Sequence, residues 1–209
     1  MLIRKARKDE IDDIEKVYAD ARAFMREAGN AEQWANGYPP HDRIEADIEA
    51  GRLFVCEEGP MLFAFSDLTE SVNGYEVVGG SGNAHAAIDA LHDLEQQHLE
   101  NAGLYGVFYF AVEDEPAYAT IDGAWLNDAP YGVVHRIAIA RRRRGVGTFC
   151  LEWAQKKAAE AEAAGGVRID THPDNTPMRE MLSKLGFTEC GTVTYDDCGL
   201  RIAFQKLAQ

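Results

Sequence analysis

Residues 133–148 read Val-Val-His-Arg-Ile-Ala-Ile-Ala-Arg-Arg-Arg-Arg-Gly-Val-Gly-Thr. The apolar first half predicts a strand over 131–140, and Gly145 then opens a helix over about 146–164. A strand thus feeds a short basic loop that turns into a helix. The first N–H groups of a helix have no intrahelical partner and lie at the positive end of its dipole, so Gly145, Val146, Gly147 and Thr148 can bind a pyrophosphate. Glycines let the backbone approach closely, and Arg142 and Arg144 add charge-assisted donors for phosphate oxygens.

Outward from this stretch the chain alternates strand and helix. Downstream, strands are predicted at 167–171, 187–195 and 199–206, with a helix at 176–185 between the first two. Upstream, a strand at 2–6 precedes a helix that Asp9 can cap, with Ile11, Ile14, Val17, Tyr18, Ala21 and Met25 at helical spacing and Gly29 as its stop. A loop over 30–40 carries Trp34 and Tyr38, which either wall a binding pocket or plug the core beneath the loop. Ile44 and Ile48 mark a short second helix ending at Gly51, and strands follow at 52–56 and 106–112. Helices packed on a central mixed sheet make an α/β fold. Residues 59–105 form an insertion into what otherwise reads as one domain, 1–209. It contains Gly79-Gly80-Ser81-Gly82, which lacks the spacing and Lys-Ser/Thr ending of a phosphate loop, and a helix over 86–102.

A hydrophobic content of 46% over 209 residues supports one packed interior. No apolar run approaches the roughly 20 residues that cross a bilayer, and nothing resembles a secretion signal, so a cytoplasmic location is expected. A net charge of −14 opposes nucleic-acid phosphates and anionic membranes as partners and favours cationic small molecules. The run Arg141–Arg144 therefore reads as a local anion site. Cys56, Cys150, Cys190 and Cys198 show no CxxC pair and no clustered histidine, so reduced thiols and no metal are expected.

Arg142-x-x-Gly145-x-Gly147 after Ile137-Ala138-Ile139 resembles the acetyl-CoA signature of the GCN5-related N-acetyltransferase (GNAT) family. A second block, Asp170 to Asn175 and Met178 followed by Leu185-Gly186-Phe187, resembles that family's downstream asparagine, helix and "LGF" ending. The resemblance implies a mixed, mostly antiparallel sheet of about six or seven strands, its fourth and fifth splayed so that the pantetheine arm of acetyl-CoA lies in the gap. By that resemblance Ile137, Ala138 and Ile139 offer backbone hydrogen bonds to pantetheine, residues 142–148 hold the pyrophosphate, and Asn175 bonds the arm. Asn175 also suits a helix N-cap.

Many members carry a tyrosine seven residues after the asparagine as the acid that protonates the departing thiolate. Here that position is Leu182, leaving Ser183, Tyr131, Tyr195 or solvent. The acceptor amine must lose a proton, so a carboxylate or imidazole is expected near the thioester sulfur. Asp170 is the first choice for this base, and an ion pair with Arg168 is its alternative role. His135 and His172 are the other candidates. Trp34, Tyr38, Tyr118 and Trp125 are expected to wall the acceptor pocket. The reading is acetyl transfer to a small-molecule or peptide amine in a ternary complex, and a homodimer is left open. A catalytically weak acyl-CoA-binding regulator on the same fold is the competing reading, raised by Leu182.

Overall fold

The computed structural model describes residues 1–58, 70–72, 75–77, 103–140, 144–196 and 199–208. Arg142, Cys198, the glycine stretch 79–82 and the helix expected over 86–102 lie outside the described residues. The chain divides into two compact units, Met1–Leu2 with Glu57–Gly103, and Ile3–Cys56 with Leu104–Gln209. In the former, β3 (Glu70–Val72) and β4 (Tyr75–Val77) make an antiparallel pair with Glu70 opposite Val77.

The remaining elements follow the expected order: β1 (Leu2–Lys5), α1 (Ile11–Glu27), α2 (His41–Glu49), β2 (Leu53–Glu57), β5 (Gly106–Val112), β6 (Asp122–Gly123), β7 (Gly132–Ile139), α3 (Val146–Glu160), β8 (Val167–Thr171), α4 (Thr176–Lys184), β9 (Thr188–Tyr195) and β10 (Gly199–Lys206). Apolar spacing placed α1 well, since its buried residues are Ile11, Ile14, Val17, Tyr18, Ala21 and Met25. Asp9 does not cap it. A 3-10 turn over Lys8–Glu10 precedes the helix, and Glu10 folds back to accept from the Arg7 N–H (3.1 Å) while paired with Arg4 (2.9 Å). Gly29, at φ +86°, ends the helix as the Asn30 N–H bonds the Met25 carbonyl.

One eight-stranded sheet has the order β1-β2-β5-β7-β8-β10-β9-β6. Pairing is antiparallel at β2–β5, β5–β7, β8–β10, β9–β10 and β6–β9, and parallel at β7–β8. Side chains alternate between faces, which divides the core. On one face Phe108, Phe110, Val134, Ile169, Ile202 and Phe204 pack with Cys150, Leu151, Ala154 and Leu182 of α3 and α4. On the other, Val107, Tyr109 and Ala138 meet α1 and α2, and Val133, Val193 and Ala203 meet Tyr118 and Tyr131.

The parallel pair sets the position of the site. β7 and β8 match at only three positions, Gly132 with Val167, Val133 with Arg168 and Val134 with Ile169, and then part. Two features end the pairing. In β7, Arg136 and Ile137 together face a single residue of β5, a β-bulge in which Arg136 takes φ +50°. That left-handed conformation is uncommon for a residue with a Cβ and costs on the order of 1–3 kcal/mol. Arg136 is held in it by Asp47 (2.7 Å) and by the Tyr109 ring (4.8 Å). In β8 the strand stops at Thr171, just before Pro173, which has no N–H to continue a ladder.

Candidate active site

A cavity of about 460 Å³ opens at this fork, lined by His135 to Ile139 of β7 and by Ile169, Asp170 and Thr171 of β8. Ala21, Phe24 and Met25 of α1 border it, as do Met178 and Met181 of α4, which packs against the opposite face of the sheet. The cleft therefore passes through the gap between the two strands. Trp34 and Tyr38 line it, so the loop aromatics face the cleft, and Trp34 also packs edge-on against Tyr18 at 5.6 Å.

Asp170 is the hub of a polar cluster. Its Oδ1 accepts hydrogen bonds from the hydroxyls of Tyr118 (2.8 Å) and Tyr195 (2.8 Å), and His135 Nδ1 lies 3.8 Å away. The other imidazole nitrogen, Nε2, is 2.9 Å from Glu115. The hydrogen bond from His135 holds the Glu115 carboxyl below the usual carboxylate range, against the opposing effect of its partial burial. Burial, reinforced by the charge of Asp170, pushes both tyrosine hydroxyls well above their ordinary range. Both stay protonated and donate to Asp170, leaving Oδ2 for a ligand.

Other expected residues occupy different places. Tyr118 is 2% exposed and supports Asp170 from beneath instead of walling the cleft. Trp125 is absent from the lining: its ring stacks on the Arg168 guanidinium at 4.2 Å, and Tyr131 covers the same group at 3.8 Å. Arg168 bonds the Asn127 carbonyl (2.6 Å), so Asp170 is paired with tyrosines and not with Arg168. His172 lies beyond the cleft lining, its Nδ1 accepting from the Asp174 N–H at 3.2 Å. Asn175 caps α4 by accepting from the Met178 N–H (3.3 Å), and its own N–H₂ donates to Gln33 (2.8 Å). The carbonyl of Gln33 also receives Asn30 (2.7 Å), which ties the α1–α2 loop to the end of β8.

Arg144, Gly145, Val146, Gly147 and Thr148 form the turn that opens α3, outside the cleft lining. Gly145 has φ +79°, and the first amide to close a helical bond onto its carbonyl is that of Phe149 (3.0 Å). Gly147 faces α4: a Cβ there would sit 2.9 Å from the Met181 sulfur. Leu182 is fully buried in the core, packed with Cys150, Leu151 and Ile169, and does not line the cleft. Tyr131 is occupied in accepting from the Glu115 N–H (3.0 Å), and Ser183 is exposed. Glu115 and Arg201, both on the cleft, escaped the sequence reading because no local motif marks them.

The site therefore combines a parallel strand pair forking over a through-going cleft with a glycine-capped helix that follows it. The comparisons with known proteins give the family. The model of the Acetyltransferase (GNAT) family matches residues 82–187, and the chain belongs to that family. A GNAT-family acetyltransferase of Streptococcus agalactiae is 28% identical, with a TM-score of 0.69 over 100% of this chain and 95% of its own. A putative acetyltransferase of Staphylococcus aureus shares 18% identity at TM-score 0.61, with 100% of each chain covered. NAA60 of Arabidopsis thaliana, solved with acetyl-CoA, shares 10% identity at TM-score 0.55, covering 99% of this chain and 97% of its own. No curated protein matches. Among the described residues no helix is long and apolar enough to cross a membrane.

Proposed function

We propose that the chain moves an acetyl group from acetyl-CoA to a primary amine in a ternary complex, with Asp170 as the base. The observation that carries this is the fork: β7 and β8 part after Val134 and Ile169, with His135 and Asp170 at the opening of the cleft. Acetyl-CoA fits what surrounds it. Past the bulge, residues 137–139 present a strand edge not taken by β8, and the α3 turn offers free N–H groups above a glycine cap. The Arabidopsis structure on this fold holds the same cosubstrate. Arg144 adds a cation at that turn, and Ile137, Ala138 and Ile139 offer backbone to the pantetheine arm.

Bound acetyl-CoA supplies a thioester carbonyl carbon for the amine nitrogen to attack, and its C–S bond breaks to release a thiolate. Asp170 Oδ2 takes the proton the amine must lose, while Tyr118 and Tyr195 fix the carboxylate through Oδ1. His135, bridging towards Glu115, can pass that proton on to solvent. Tyr195 keeps its own proton because burial raises it, so it orients Asp170 and is a poor acid for the thiolate. A thiolate leaves readily near neutral pH without one, which accommodates the buried Leu182. Holding both reactants in one cleft contributes much of the rate.

The test is a screen of amines with acetyl-CoA, reading free CoA thiol and N-acetyl product by mass spectrometry. Intersecting initial-rate patterns for the two substrates are expected. Tight acetyl-CoA binding with no amine acetylated would instead support the regulatory reading.

A further inference from the structure

The cleft carries a charged side chain for which proton transfer has no use. Arg201 lies on β10 two residues from Ala203, the residue that pairs directly with Asp170. Alternation along the strand puts Arg201 and Asp170 on the same face, as diagonal neighbours with backbones about 7–8 Å apart. Arg201 pairs with Val193 of β9, so Tyr195, two residues on, shares that face as well. Arg201 is 5% exposed and lines the cleft. Its side chain donates one hydrogen bond, to the adjacent Leu200 carbonyl (2.8 Å).

The other cleft arginines each have a carboxylate in reach, since they share Asp47, which lies 2.7 Å from Arg136 and 3.6 Å from Arg43. Among the described residues no carboxylate lies within ion-pair distance of Arg201. Burying a guanidinium without a counter-charge is costly, and its planar fork of donors matches a carboxylate in two parallel hydrogen bonds. The missing counter-charge would come from the substrate.

We propose that Arg201 binds a carboxylate of the acceptor, which makes the acceptor a small amine of amino-acid type and not a peptide N-terminus or a simple alkylamine. The proposal rests on the acetyl-transfer reading of the same cleft. Asp170 receives the amine while Arg201, on the same face, takes the carboxylate, and the two together orient the nitrogen. Such an acceptor is zwitterionic, so the local pair Asp170 and Arg201 replaces the net charge of −14 as the determinant of what enters.

The test compares L-leucine with isoamylamine and L-leucinamide, and L-phenylalanine with phenethylamine, as ligands of the CoA-bound protein by calorimetry and as substrates by kcat/KM. A charge-assisted bidentate contact predicts that the acids are preferred by about 10- to 100-fold. In Arg201→Gln that preference should vanish while affinity for acetyl-CoA and for the amines stays put, and Arg201→Lys should recover part of it. The wild-type comparison stands even if a variant fails to fold. Amines or amides binding as well as the acids, or no acid binding at all, would overturn the proposal, as would an Arg201→Gln loss that falls equally on acids and amines. If the acids bind through Arg201 but none is acetylated, acetyl transfer fails and the carboxylate site survives.

Discussion

Asp170→Asn separates the chemistry of the site from its architecture. The amide oxygen can still accept from the hydroxyls of Tyr118 and Tyr195, each 2.8 Å from Oδ1, so the scaffold keeps its two bonds. What disappears is the basic lone pair at Oδ2. Base catalysis is worth about 10² to 10⁴ in rate, or roughly 2.7–5.4 kcal/mol of barrier at about 1.36 kcal/mol per decade. We expect kcat to fall by at least about 10²-fold, acetyl-CoA affinity to stay constant, and the deficit to shrink at high pH as more acceptor amine is already neutral. Asp170→Ala is the informative contrast. It strands the buried Tyr118 hydroxyl, at a cost of about 1–3 kcal/mol, together with the half-buried Tyr195 hydroxyl, and should lower Tm as well as kcat. Steady-state release of CoA thiol, with thermal unfolding of each variant, measures both effects. A folded Asp170→Asn protein with near wild-type kcat at neutral pH would refute the assignment and move the base to His135.

Gly147→Ala should leave Tm almost unchanged, because the Met181 thioether end that it would crowd at 2.9 Å can rotate away, yet it should weaken acetyl-CoA at least about tenfold by shifting Met181 within the cleft that it lines; unchanged affinity by calorimetry would count against acetyl-CoA lying beside Met181. Leu182→Tyr should not raise kcat and should destabilise by about 1–3 kcal/mol through overpacking, a Tm fall of roughly 2–12 °C, since Leu182 is fully buried; a faster enzyme would contradict the core assignment. Glu115→Gln tests the His135 contact through pH. Because the folded carboxyl is held below its usual value of 4.5, the stability it contributes is present above that value and is lost as pH falls through the lower folded value. The wild-type advantage over Glu115→Gln in denaturant unfolding should therefore close in acid, and a gap independent of pH would count against the pairing.

The sequence alone determined what is local in physical origin. Helical spacing in 11–25 reflects burial of one stripe of a helix, and the unbroken apolar run 106–112 reflects a strand covered on both faces, so both α1 and β5 follow from local pattern alone. The glycine-capped turn at Gly145 was legible for the same reason, because it depends on contiguous residues. Asp170 could be singled out only through the family resemblance. The tertiary structure decided which side chains surround it. Alternation shows that Arg168 and Asp170 share a face of β8, but only packing puts Arg168 between Trp125 and Tyr131 and leaves Asp170 to two tyrosines. Arg201 and Tyr195 reach the same face through the register of β8, β10 and β9, and Glu115 through a loop touching His135. Register is fixed by long-range pairing, and one residue of slip would turn Arg201 to the opposite face and leave the cleft without its unpaired cation.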